Sequence, residues 1–128
     1  MAFRWRGGGS CVGQPDDRAG ALVRRGGVDP DEAFVASLAS CHMLFFLDFA
    51  LRAGSVVSAY EDAADAVMGK GDDGKVRITK VTLRPRIAFA VEAPDAAVLD
   101  RLHHQANEAC FIANSVTCEV VVEGNPFN

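Results

Sequence analysis

The chain has 128 residues, enough for one domain with a core of its own. Its composition is ordinary for a globular protein, 49% apolar and 23% charged, and the net charge of −4 argues against a nucleic-acid binder, which carries a clustered basic excess. Charge is uneven, because five arginines face only Asp16 and Asp17 in residues 1–28, so a basic arm precedes an acidic body.

Four cysteines in a chain of this size do not make a disulfide scaffold. Met1-Ala2-Phe3-Arg4-Trp5-Arg6 runs into glycines rather than into the apolar stretch of a signal peptide. The uncharged run Ala33 to Leu47 is shorter than the roughly 20 residues that span a bilayer. These features lead to the expectation of a cytoplasmic protein with no membrane segment.

In chain order, Ala2 to Arg6 alternates as a short strand, and Gly7-Gly8-Gly9-Ser10 reads as a turn. A helix is predicted over about 30–52. Asp29 is a good N-cap, Pro30 suits the first helical position, Glu32 completes a capping box, and Gly54 follows the last turn. Phe34, Leu38, Cys41, Phe45 and Phe49 line one side of it, and Val35, Ala39, Phe46 and Ala50 another, so the helix is expected to be central and covered on most faces. One short chain has too few strands to cover such a helix, which predicts an obligate homodimer with a shared core.

Val56 to Met68 fits strand and helix alike, and Gly69 to Gly74 reads as a hairpin connection. Val81, Leu83, Ile87, Phe89 and Val91 keep one parity, which predicts a single half-buried strand over Arg77 to Val91 with Pro85 at an edge or bulge. A second helix is predicted over about 95–113, with Leu99, Leu102, Ala106 and Cys110 on its apolar face. Val116, Cys118, Val120 and Val122 alternate as a closing strand. The order of elements is that of a single α+β domain over residues 1–128.

Cys41 and Cys110, 69 residues apart, are the strongest candidates for chemistry. A buried free cysteine usually packs as a small hydrophobe, and Cys11 and Cys118 fit that reading best. Around Cys41, however, Ser37, Ser40 and His42 interrupt an apolar helix, and buried polar groups need partners. Cys41 lies near the middle of its helix, where the helix dipole acts little. A reactive thiolate there needs a cation brought by another segment and held by a carboxylate. Arg18, Arg24 and Arg25 of the basic arm are the candidates, with Asp31 and Glu32 up the helix. A Cys/His metal site drawn from Cys41, His42, His103, His104 and Cys110 is the rival, but its spacing matches no zinc signature and thiol chemistry is favoured.

Pro30-Asp31-Glu32-Ala33-Phe34 leading to Ser40-Cys41-His42-Met43, then Leu83-Arg84-Pro85, Leu102-His103-His104 and Cys110-Phe111-Ile112-Ala113-Asn114-Ser115-Val116, resemble the OsmC/Ohr superfamily over about residues 29–123. The similarity is greatest to the OsmC-like hydroperoxide-reductase group with its Ser-Cys-His-Met motif. The resemblance implies an intertwined α+β homodimer with long central helices covered by antiparallel sheets. It implies a thiol peroxidase for organic hydroperoxides and, less readily, hydrogen peroxide, acting in oxidative-stress defence. Cys41 then matches the peroxidatic cysteine and Cys110 the resolving one. No bound cofactor is implied, only an external dithiol reductant, lipoyl-type or small-molecule. Phe34, Leu38 and Phe45 would wall an apolar substrate pocket. The family's glutamate after the proline falls on Asp31, leaving Asp31 or Glu32 to hold the arginine. The N-terminal segment is shorter than the family's, and Arg18 is the choice by position, ahead of Arg24 and Arg25. A non-catalytic relative that holds an apolar small molecule is the alternative.

Overall fold

A computed structural model describes residues 3–5 and 30–126. The elements in chain order are β1 (Phe3–Trp5), α1 (Pro30–Arg52), β2 (Val57–Asp62), β3 (Asp65–Lys70), β4 (Val76–Leu83), β5 (Pro85–Phe89), α2 (Ala96–Ala109), a 3₁₀ turn (Ala113–Ser115), β6 (Glu119–Val122) and β7 (Asn125–Pro126).

α1 carries Asp31 and Glu32 in its first turn and Arg52 in its last, the charge order that complements a helix dipole. Its C-terminus closes as a Schellman motif. The Ser55 N–H donates to the Ala50 carbonyl (2.8 Å) and the Gly54 N–H to that of Leu51 (3.0 Å). Gly54 adopts φ +86°, a left-handed conformation in which a side chain would be strained. α2 begins at Asp95, whose carboxylate accepts the Val98 N–H at 2.8 Å.

Two mixed sheets form, in the orders β1-β2-β5-β7 and β3-β4-β6. β2 with β5 and β3 with β4 are antiparallel, whereas β1 with β2, β5 with β7 and β4 with β6 are parallel. The sheets expected to be antiparallel are therefore mixed. The ambiguous stretch after α1 is two strands, β2 and β3, in different sheets.

The long strand expected over Arg77 to Val91 is likewise broken at Arg84 into β4 and β5. Pro85 has no N–H to give a ladder, and the chain bends there from one sheet into the other. The bend is held by side chains. Asp62 accepts the Arg84 N–H at 2.8 Å, and the Arg84 guanidinium pairs with Asp65 (2.6 Å) and Glu123 (3.2 Å). Thr82 breaks the parity rule by being buried with Val81 and Leu83, and Val91, past the end of β5, is exposed.

The bend divides the core in two. One cluster packs Met43, Phe46 and Ala50 of α1 on Tyr60, Ile87, Leu99, Leu102 and Ala106. The other packs Val35, Leu38 and Ala39 on Ala64, Ala66, Val81 and Leu83. Cys41 and His42 occupy the stretch of α1 between them. By length and composition α1 would also suffice to cross a bilayer. Its Leu38, Ala39, Phe46 and Ala50 are nonetheless almost fully enclosed by protein. Coverage is one-sided, since Leu44 and Leu51 are exposed and stand on one face with half-buried Leu47.

Candidate functional site

α1 brings Cys41 to the interior from the middle of the helix, and α2 delivers Cys110 as its C-cap. The predicted helix through 113 ends sooner, at Ala109, and the chain turns at Cys110. There the Cys110 N–H still donates to the Ala106 carbonyl (3.0 Å) while its own backbone is extended. The turn places the Ala113 N–H 3.4 Å from Cys110 Sγ, which accepts it.

Both thiols are buried, and both are free; the half-buried Cys118 is free too. The Cys41 side chain lies within hydrogen-bonding reach of Cys110, so two residues 69 apart in sequence meet in space. Burial raises the Cys110 thiol to about 11, the hydrogen bond with Cys41 adds to the rise, and the Ala113 N–H opposes it. Cys110 is accordingly a protonated thiol at neutral pH. Burial also raises Cys118. Cys118 packs at the margin of the second core cluster, as a small apolar residue would.

The candidate pocket residues divide between the clusters. Leu38 is a core residue of one, with Phe34 packed against it. Phe45 is partly buried against the other and meets exposed Phe111 edge-on, with ring centroids 5.7 Å apart. Phe111 adjoins Cys110 in sequence, so an aromatic pair lies beside the thiols.

Asp31 and Glu32 are half-buried in the first turn of α1. The helix rise puts them roughly 15 Å along the axis from Cys41, so they could act on it only through an intermediary. Arg18, Arg24 and Arg25, together with Cys11, lie outside the described residues.

Cys41, His42, His103, His104 and Cys110 are not gathered into one metal-binding set among the described residues. Among the described residues no three His, Cys, Asp or Glu side chains are placed to hold an ion. His104 is exposed beside Glu108, at 3.2 Å. His42 and His103 instead bond each other inside the protein, Nε2 to Nδ1 at 3.0 Å. Their rings are almost coplanar, 6° apart, and Phe46 stacks on His103 at 4.5 Å. Desolvation by burial lowers His42 to about 3, helped by His103, and lowers His103 to about 4 against the opposing pull of Asp100. Both rings are neutral at neutral pH.

This pair was not anticipated as a unit, although a signal for half of it exists. Leu99, His103, Ala106 and Cys110 are spaced four, three and four apart, which puts His103 on the same face as the apolar residues. Asp62 and Tyr60 form a second buried polar spot on β2. Burial raises Asp62 to about 6, opposed by the Arg84 N–H and guanidinium, and burial with nearby Asp62 raises the Tyr60 hydroxyl.

The sequence profile of the OsmC-like protein family matches residues 23–124. No curated protein matches the chain. Among solved structures, it is 48% identical to an OsmC-like protein of unknown function from Vibrio cholerae, with TM-score 0.75, over 78% of this chain and 66% of that one. The chain thus spans just under two thirds of the length of the Vibrio protein. The organic hydroperoxide resistance protein OhrB of Bacillus subtilis is 22% identical, with TM-score 0.62, over 79% of this chain and 71% of its own. An organic hydroperoxide resistance protein OsmC from Legionella pneumophila is 16% identical, with TM-score 0.62, over 81% and 72%. At those identities the last two show a common fold.

Proposed function

The chain belongs to the OsmC-like family, and from that premise we propose that it is a cysteine peroxidase that reduces organic hydroperoxides. The observation that carries the reading is the meeting of two buried, free thiols from distant parts of the sequence, Cys41 and Cys110. Proteins with the same fold are described as organic hydroperoxide resistance proteins, which favours a peroxide over other oxidants.

In the proposed reaction the Cys41 thiolate attacks the terminal oxygen of R–O–O–H. The O–O bond breaks, the alkoxide takes up a proton and leaves as the alcohol, and Cys41 becomes a sulfenic acid. The Cys110 sulfur then attacks the Cys41 sulfur. The S–O bond breaks, the Cys110 proton and the hydroxide depart as water, and the Cys41–Cys110 disulfide forms. An external dithiol, lipoyl-type or small-molecule, restores both thiols by two exchanges and is itself oxidised to a disulfide. No bound cofactor takes part.

Cys110, within reach of Cys41, is placed for the second role, in which its proton leaves with the hydroxide. Arg18, or else Arg24 or Arg25, is the proposed cation beside the Cys41 thiolate, with Asp31 or Glu32 to hold it. Phe34, Leu38 and Phe45 give the neighbourhood an apolar character suited to a lipid-like hydroperoxide.

The exposed Leu44 and Leu51 face of α1 is the proposed core of a homodimer. Light scattering at micromolar concentration should give twice the chain mass, and a well-folded monomer would count against it.

Peroxide consumption with a dithiol present tests the activity. Wild type should consume cumene hydroperoxide catalytically and Cys41→Ser not at all. Equal rates in both would overturn the reading, and a non-catalytic binding protein for an apolar molecule would replace it.

A further inference from the structure

We propose that His42 and His103 are a positioning pair, whose hydrogen bond fixes how α1 lies on α2 and thereby sets the approach of Cys41 to Cys110. The inference rests on the reading of those two cysteines as a redox couple.

The geometry supplies the argument. Cys41 and His42 are adjacent on α1, so their side chains leave the helix about 100° apart. Their partners, Cys110 and His103, stand seven residues apart along α2 and its cap. That is two turns, about 10 Å of rise. Two neighbouring residues of one helix thus meet the other at two well-separated points. Sliding α1 along α2 would break both contacts, and rotating it would break at least one.

The thiol contact is weak, and it changes when Cys41 is oxidised to the sulfenic acid and again when the disulfide forms. The imidazole contact remains to hold the register. It is directional and buried, with His42 at 1% and His103 at 7% exposure.

His103 is itself held from several sides. Phe46 stacks on its ring, and the chain after β6 passes so close that a Cβ at Gly124 would fall 2.7 Å from Nε2. Mutual packing alone would be served as well by two apolar side chains. Instead α1 and α2 each contribute an imidazole, and each ring has a second nitrogen, Nδ1 of His42 and Nε2 of His103, that is buried with no hydrogen-bond partner among the described residues. The bond between the rings is directional where apolar packing is not, which fits a role in geometry.

The test is the equilibrium of the Cys41–Cys110 disulfide with dithiothreitol, followed by mass spectrometry of alkylated protein, which needs no peroxide. His42→Leu/His103→Leu removes the bond while keeping apolar bulk. His42→Gln/His103→Asn restores it, since the two amides place a donor and an acceptor where Nε2 and Nδ1 stood. The effective concentration of the thiol pair should fall about tenfold in the leucine double variant, the size of one net hydrogen bond, and return to within about twofold in the amide variant.

An unchanged value in the leucine variant overturns the proposal, as does a loss that the amides fail to restore. Should the leucine variant not fold, Gly124→Ala, which pushes His103 without replacing it, should lower the effective concentration severalfold, and no change there overturns the proposal too. A wild type that forms no Cys41–Cys110 disulfide with oxidised dithiothreitol refutes the redox couple itself, and the positioning role falls with it. A wild type that forms it yet ignores peroxide refutes only the peroxidase reading.

Discussion

The thiol pair and the imidazole pair both lie where α1 meets α2, two turns apart along α2, and they are equally buried: 6% and 1% exposure for Cys41 and Cys110, 1% and 7% for His42 and His103. Burial therefore does not tell them apart. A thiol is a weak hydrogen bonder and rests in an apolar setting at little expense. An imidazole gives up its charge there, and each ring keeps one nitrogen without a partner among the described residues. The thiols also adjoin the partly open aromatic edge of Phe45 and Phe111, whereas the imidazoles are shut in by Phe46 and the chain at Gly124. One pair borders an exposed aromatic side chain, and the other is enclosed around a directional bond.

The sharpest way to separate the pairs is to remove one member of each. Cys41→Ser should abolish peroxide consumption without loss of fold, and Cys110→Ser should permit a single turnover and leave Cys41 open to over-oxidation, as mass spectrometry of the treated protein would record. If Cys110→Ser kept turning over at the wild-type rate, Cys110 would not be the resolving thiol. His103→Leu should do the reverse, lowering stability by about 1–3 kcal/mol in urea unfolding because it leaves the His42 Nε2 buried and unpaired. The leucine double variant should be the more stable of the two, and the opposite order would contradict a real bond between the rings.

Acid should strain the imidazoles first. Their folded values, about 3 and about 4, lie below the unfolded value of about 6.5, so the unfolded chain binds more protons between those limits. The stability they allow is therefore present above about pH 6.5 and is lost as pH falls toward 4. Asp62, raised to about 6, works in the other sense, since the folded state binds more protons and stability from this group declines as pH rises from about 4 to 6. Unfolding midpoints across pH 4–7 should flatten in His42→Gln/His103→Asn and steepen in Asp62→Asn. Identical profiles in all three proteins would contradict the assignment.

The smallest effect is expected at the bend, away from both pairs. Arg84→Lys keeps one charge but loses the fork shared by Asp65 and Glu123, and since these side chains are 37–58% exposed the loss should stay below about 1 kcal/mol. A larger loss would mean that the bend governs the packing of the two core clusters.

The same contrast marks what the sequence could reveal. The bounds of α1 are visible in Pro30 and Gly54 because helix ends are local chemistry, and Asp95 marks the start of α2 for the same reason. The α+β class follows from the order of those signals. Cys41 and Cys110 could be singled out by their company, but only the crossing of α1 on α2 brings them together. The break at Arg84-Pro85 was masked by a run of apolar residues that keeps one parity through it, although Pro85 was the warning. Parallel pairing of β4 with β6 is not written in any local pattern, because it depends on where α2 returns the chain. The imidazole pair was hidden for a further reason. On a helix apolar nearly all round, nothing in the spacing says which way His42 points.

The most direct test of the account is a count of free thiols after one equivalent of cumene hydroperoxide, with the oxidised protein mapped by proteolysis and mass spectrometry. The chain contains four cysteines. The account predicts that two thiols per chain disappear and that one disulfide-linked peptide pair, Cys41 with Cys110, accounts for them. Four free thiols beside unconsumed peroxide, or a disulfide that joins any other pair, would contradict it.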